Sequence, residues 1–240
     1  ANAALFLYHA GRCGISIHLT APKTMQDQTV SSKKDRILDA AEQLFARHGY
    51  DGVTLRQIAT QAEVDVALAN YHIGNKRELF EAVFIRRAEM LNQSRAEALS
   101  ICEESAGADG PTVEQIIEAF LRPLEIAQET GDDGWQHYLA LVAYVNNSPV
   151  WGKELMSRHF DKLIKRFIKA LRKALPGASD KQLFWCYNYL SGALTLTFAQ
   201  TGRIDKLSRN ACKSSDFQAA YDHMIPFIAG GFRSVCGGME

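Results

Sequence analysis

Cysteine is scarce and scattered. The five residues, Cys13, Cys102, Cys186, Cys212 and Cys236, include no CxxC pair, which argues against a zinc site or a disulfide framework and suits a reducing cytoplasm. Charge of one sign is missing as well. Basic residues number 27 and acidic residues 27, so the chain is no general nucleic-acid coat, and any polyanion contact must come from a local set of cations on one face. No apolar run is long enough to span a bilayer. Enzyme signatures are absent: there is no GxSxG elbow, no HExxH, no GxxxxGK[ST] loop and no close carboxylate pair with an evident reason for a raised pKa, and the seven histidines are dispersed. Neither an enzyme nor a metal or cofactor site is expected.

What is present is a series of short, capped helical segments. Ser32 with Asp35 forms a cap signature, and Ile37, Ala40, Ala41, Leu44 and Phe45 recur on one helical face until Gly49. Thr54 with Gln57 is a capping box opening a second helix that carries Leu55, Ile58, Ala59 and Ala62. After a turn, Asp65 can cap a third helix through Ile73, which Gly74 breaks, and Asn75 with Glu78 caps a fourth. Two short helices around a tight turn, propped by a longer apolar one, make the helix-turn-helix plan, whose second helix enters the major groove of DNA. Spacing alone leaves open another small helical bundle.

Ile37 to Phe80, ILDAAEQLFARHGYDGVTLRQIATQAEVDVALANYHIGNKRELF, resembles the tetracycline-repressor (TetR) family of bacterial transcriptional regulators. The likeness runs from Ala40 and Ala41, through Gly49 and Tyr50, to Asn75 and Lys76. Ala69 and Ile73 depart from it, since many members have a bulky residue at the first position and an aromatic at the second. Asn70-Tyr71-His72 is similar to a branch that answers to fatty acids or acyl-CoA. The resemblance implies an all-α chain: an N-terminal three-helix reader, then a larger helical domain for ligand binding and dimerisation.

Individual roles follow for the reader. Lys76, at a helix start, combines a cation with free amides, a setting suited to a phosphate oxygen. Thr54 both caps and is placed for a phosphate, and Arg56 lies near the DNA or in solvent. Asn70 and Tyr71 can reach phosphates or base edges, while Val66 and Leu68 can pack on thymine methyl groups. The resemblance adds Tyr71 and His72 as backbone contacts.

Beyond the reader the chain stays helical. A linking helix covers Leu79 to Ser100, and a break follows at Ala106 to Gly110. Thr112 with Gln115 opens a helix that Pro123 must kink or interrupt, because proline lacks the amide donor and crowds the carbonyl of Ala119. Gly131 to Gly134 is a turn before an aromatic-rich run, Trp135 to Val145. A long amphipathic helix from about Val150 to Leu175 has a basic face, read as solvated. Phe120, Trp135, Tyr138, Trp151, Phe167 and Tyr187 are candidates to line a cavity for a small apolar effector, although aromatics at helical spacing are more often ordinary core.

The segment Ser179 to Gln200 is apolar on nearly every side and must be covered on nearly every side. A two-fold partner is a simple source of cover. Tyr187, Leu190, Leu194 and Phe198, with Phe217, Tyr221, Met224 and Ile228 of a last helix containing Pro226, are the expected interface, and the family resemblance likewise implies a dimer held by the final two helices. A central helix buried in a monomer is the alternative.

The expected organisation is thus residues 1–30 as an extension, either not native to the regulator or from a start upstream of Met25, then a reader over 31–77 and a ligand-binding and dimerisation domain over 78–240. The extension is not read as a signal peptide, for it lacks a basic start and is interrupted by His9, Gly11, Arg12 and Gly14; a DNA-contacting arm is its functional alternative. The expected function is a cytoplasmic homodimeric repressor released from a pseudo-palindromic operator by a small, largely apolar ligand. A helical carrier or adaptor that holds an apolar molecule without regulating DNA is the rival from another class.

Overall fold

A computed structural model describes residues 32–130 and 134–237, and every regular element among them is helical. The 1–30 extension, including Cys13, and positions 131–133 of the Gly131 to Gly134 turn lie outside the described residues.

Three short helices come first: α1 (Lys33–His48), α2 (Leu55–Gln61) and α3 (Val66–Ile73). The Ser32 hydroxyl accepts from the Asp35 amide at 3.1 Å and starts α1, which closes at Gly49 with a left-handed φ of +69°. Ile37, Ala41 and Phe45 form its buried face. Thr54 and Gln57 exchange bonds in the expected box, each using its side chain to satisfy the other's amide. The turn into α3 is made at Glu63, whose φ of +54° is unusual for a residue with a side chain; the next amide, Val64, reaches back to the Ala59 carbonyl at 3.0 Å.

The fourth helix, α4 (Lys76–Ser105), runs unbroken for 30 residues, about 45 Å at the usual helical rise. It takes in the linking stretch from Leu79 to Ser100 and runs from the expected Asn75 box to the expected break at Ala106. Then come α5 (Val113–Thr130), which continues through Pro123, and α6 (Gly134–Asn147). Pro123 therefore does not interrupt its helix. The helix expected from Val150 instead opens with one wide π-helical turn, Gly152–Met156, before α7 (Ser157–Ala174). A Ser179–Gln182 box opens α8 (Asp180–Phe198), and α10 (Phe217–Cys236) continues through Pro226. Between them sits α9 (Arg203–Leu207), five residues long and too short to show a periodicity.

The larger bundle packs α5 against α4 and α10, and α8 against α6 and α10, while α1 leans on both α4 and α6. Reader and bundle thus share one continuous apolar core. Among the described residues no helix is long and apolar enough to cross a membrane.

Candidate nucleic-acid interface and ligand cavity

The reader presents a polar, exposed surface at its second and third helices. Thr54 and Arg56 are exposed, Val66 is at the margin of exposure, Leu68 is half-buried, and Tyr71 projects with 84 % of its surface accessible. The side chains of Asn70 and His72 lie outside what is described. Lys76 is half-buried, with its Nζ 4.3 Å above the Tyr50 ring, a cation–π contact that positions the ammonium. Its helix start is less open than expected: Asn75 Oδ1 accepts from the Arg77 amide at 2.9 Å and the Glu78 amide at 3.1 Å. The side-chain cation, more than a set of free amides, is what this end of α4 offers an anion.

Reader and bundle meet at two clusters. In the first, Trp151 lies 4.9 Å from Tyr50 and 4.9 Å from Phe80 by ring centroids, and the Arg77 guanidinium lies over it at 5.0 Å. The second is ionic. Glu42 of α1, only 2 % exposed, accepts from Arg87 Nε at 2.8 Å, Arg87 Nη2 at 3.1 Å and Arg86 Nη2 at 2.8 Å. Gly134, heading α6, sits so close that a Cβ there would collide with the Arg87 guanidinium and approach Glu42 Oε2 at 2.7 Å. Trp135 shelters the same guanidinium at 5.2 Å. Two of the aromatics proposed for a ligand, Trp135 and Trp151, thus stand at the reader–bundle junction.

A cavity of about 40 Å³ opens between α4, α5, α6, α7 and α8. Phe120, Tyr138 and Tyr187 line it; Phe167 packs behind Phe120 at 5.0 Å, ring to ring, outside the lining. Leu194 and Phe198, proposed for a dimer interface, are part of its wall. The polar groups on the wall are Arg95, Tyr138, Asn146, Tyr187 and Ser191. Arg95 is a cation on the helix that links reader and bundle, yet it is 4 % exposed. Its position four residues after Leu91 and before Leu99, on the buried face of α4, is the signal that places it inward. Burial, with no carboxylate to offset it, lowers Arg95 to about 10. Burial also raises Tyr138 well above the ordinary tyrosine value, so its hydroxyl keeps its proton.

The last two long helices use both faces. Leu190, Leu194 and Phe198 of α8 and Tyr221, Met224 and Ile228 of α10 cover the chain's own core, with Tyr187 and Phe217 half-buried beside them. The faces left open carry other residues: Phe184, Trp185, Tyr189 and Leu196 on α8, and Phe227 and Val235 on α10. Trp185, Tyr189, Gly192 and Leu196 follow one another at helical spacing, with the first two rings stacked at 6.0 Å. Phe227 is 75 % exposed and Leu196 70 %, an apolar strip that water does not favour.

Comparison with known proteins places both parts. Residues 37–83 match the model of bacterial regulatory proteins of the tetR family, and residues 118–231 match the tetracyclin repressor-like C-terminal domain. The chain belongs to the TetR family. Over 69 residues it is 33 % identical to the biofilm operon icaADBC HTH-type negative transcriptional regulator IcaR of Staphylococcus aureus strain Newman, covering 26 % of this chain and 37 % of that protein. The chain therefore spans well under half the length of this curated relative. Among solved structures, a TetR-like transcriptional regulator from Rhodococcus sp. RHA1 superposes with a TM-score of 0.59 at 18 % identity, over 86 % of this chain and 97 % of that one. A protein from Shewanella sp. PV-4 assigned to the tetR family gives 0.56 at 18 % identity, over 82 % and 97 %. At these identities the likeness is one of fold. Among the described residues no group of three or more His, Cys, Asp or Glu could hold a metal ion.

Proposed function

We propose that this TetR-family chain is a cytoplasmic, homodimeric, sequence-specific DNA-binding repressor that a small, largely apolar ligand releases from a pseudo-palindromic operator. Residues 31–77 are its reader and residues 78–240 its ligand-binding and dimerisation domain. Thr54, Arg56, Val66, Leu68, Asn70, Tyr71, His72 and Lys76 form the DNA surface. The dimer is built on α8 and α10, using the exposed strip of Trp185, Tyr189, Leu196 and Phe227. Two reading helices related by the two-fold axis then meet half-sites about 34 Å apart. The similarity of Asn70-Tyr71-His72 to a fatty-acid or acyl-CoA-responsive branch favours an effector with an acyl chain.

The observation that carries this reading is the continuity of α4. One rigid helix begins at Lys76, beside the DNA surface, and puts Leu91 and Arg95 into the cavity wall. A ligand that parts the cavity walls tilts α4 and changes the separation of the two readers. A coupling of about 1–3 kcal/mol changes operator affinity by roughly 5- to 150-fold. Selection from a random DNA library tests the reading. The expected product is a two-fold sequence with half-sites one helical turn, or a multiple of it, apart; failure to find sequence-selective binding at any salt concentration removes the regulator and leaves the helical carrier.

A further inference from the structure

We propose that the cavity is built for an organic anion, a carboxylate with an apolar body, and that Arg95 and Tyr138 hold the carboxylate. The inference rests on the cavity being the effector site of the reading above.

Buried charge is paired everywhere else among the described residues. Four charged residues are buried: Glu42, Arg87, Arg95 and Glu125. Glu42 and Arg87 face each other, and Glu125 meets Arg122 at 2.5 Å, a cation that also bonds Glu118 and Asp222. Among the described residues no carboxylate lies within ion-pair distance of Arg95. Its one hydrogen bond runs from Nε to the Phe120 carbonyl at 2.9 Å, and its guanidinium lies against the Phe120 ring at 3.9 Å. The titratable groups that bear on it are the phenols of Tyr138, Tyr187 and Tyr221, which burial keeps protonated and uncharged. An arginine cannot shed its charge at neutral pH, so the fold carries a desolvated cation without a counter-ion.

The second observation is Tyr138. Its side chain is fully buried, it lines the same cavity, and its hydroxyl has no hydrogen-bond partner among the described residues. An unpaired buried hydroxyl costs free energy that a ligand acceptor recovers. A planar carboxylate answers both groups: its oxygens accept from the terminal guanidinium nitrogens and from the phenol. The present volume, about 40 Å³, is room for a few waters or such a head, not for a whole effector. Asn146 and Ser191, which line both the cavity and a surface groove beside Gly192 and Leu196, mark the side on which the apolar body extends. An amide of the same shape returns no charge to Arg95, and an amine adds a second cation to it.

The test uses the full chain and a series of saturated carboxylates from butanoate to dodecanoate, each beside its primary amide and primary amine, with affinity read by calorimetry. At least one carboxylate is expected to bind about tenfold or more tightly than its amide, the scale of one charged hydrogen bond. Arg95→Met is expected to erase that preference and to leave ligand-free thermal stability unchanged or higher, because it removes an uncompensated buried charge. Tyr138→Phe is expected to weaken the carboxylate several-fold and not the amide. Should Arg95→Met fail to fold, Arg95→Lys, which keeps the charge and loses the fork, must still weaken the carboxylate selectively. The proposal is overturned if no carboxylate outbinds its amide, or if these variants leave the preference intact. It fails separately from the regulator: release of DNA by amides alone defeats the anion site and keeps the regulator, whereas absence of selective DNA binding defeats the regulator and leaves the affinity series standing.

Discussion

Replacing Glu42 by glutamine keeps the shape of a buried side chain and removes its charge. Glu42 is 2 % exposed and receives three guanidinium hydrogen bonds, two of them from Arg87, which is itself 6 % exposed. In the variant one carboxylate oxygen becomes an amide nitrogen that faces donors with a donor. Arg86 retains Asp39 at 2.7 Å near solvent, while Arg87 has both of its hydrogen bonds to Glu42 weakened in a buried setting. A charged hydrogen bond contributes about 1.5–3 kcal/mol, and breaking a buried pair from one side costs about 3–5 kcal/mol. Against a total stability of about 5–15 kcal/mol, the variant is expected to be marginal. Urea unfolding followed by circular dichroism, at matched protein concentration because the proposed dimer links stability to concentration, measures the loss. The pair ties α1 to α4, so hydrogen exchange in α1 should accelerate more than in α7. Replacing both partners, Glu42→Leu with Arg87→Met, should recover most of the loss. A single-variant cost below about 1 kcal/mol would place the pair with ordinary surface bridges and refute the argument from burial.

Lys76→Ala should weaken binding to all DNA sequences alike and flatten the salt dependence of log affinity by about one unit; an unaltered slope in a fluorescence titration rules out the phosphate role. Glu63→Gly should raise stability by about 0.5–1 kcal/mol, because glycine adopts the left-handed turn without strain and the Arg36 bridge it gives up, at 3.7 Å, is exposed and weak; a lower melting temperature contradicts this. Leu196→Glu should yield monomers in analytical ultracentrifugation if α8 and α10 meet across a two-fold axis, and a variant that remains dimeric removes that face from the interface. Burial, assisted by Arg158, holds His159 below the ordinary 6.5. The unfolded chain therefore takes up the proton first as pH falls, so this contribution is complete above about 6.5 and declines below it. Melting curves of His159→Gln should show a flatter acid slope, and an identical slope would exclude the histidine as its source.

Local signals made much of the reader legible. Ser32, Thr54, Asn75 and Thr112 each stand three residues before a partner that completes a cap, and each starts a helix where the spacing places it. Left-handed glycines at 49 and 74 separate elements for an equally local reason. Caps and turns involve residues within one turn of each other, so sequence carries them nearly whole. The match over 37–83 falls on the stretch from which the family resemblance was read.

Facing was decided elsewhere. Pro123 lies within an uninterrupted α5, and Arg95 bonds the carbonyl of Phe120, next to the Ala119 carbonyl whose helical donor the proline removes. Trp135 and Trp151, indistinguishable in the sequence from cavity aromatics, went to the reader junction because Arg87 and Tyr50 offered a cation and a ring to pack against. On α8, apolar residues encircle the helix, and periodicity cannot rank one strip above another. Packing against α6 and α10 turned Leu190 and Leu194 inward and left Trp185 and Leu196 in water. The sequence by itself determined where helices start and stop, because those signals are short-range and chemically specific. Only the tertiary structure decided which faces meet and which charge stays unpaired, because burial and desolvation depend on neighbours far away along the chain.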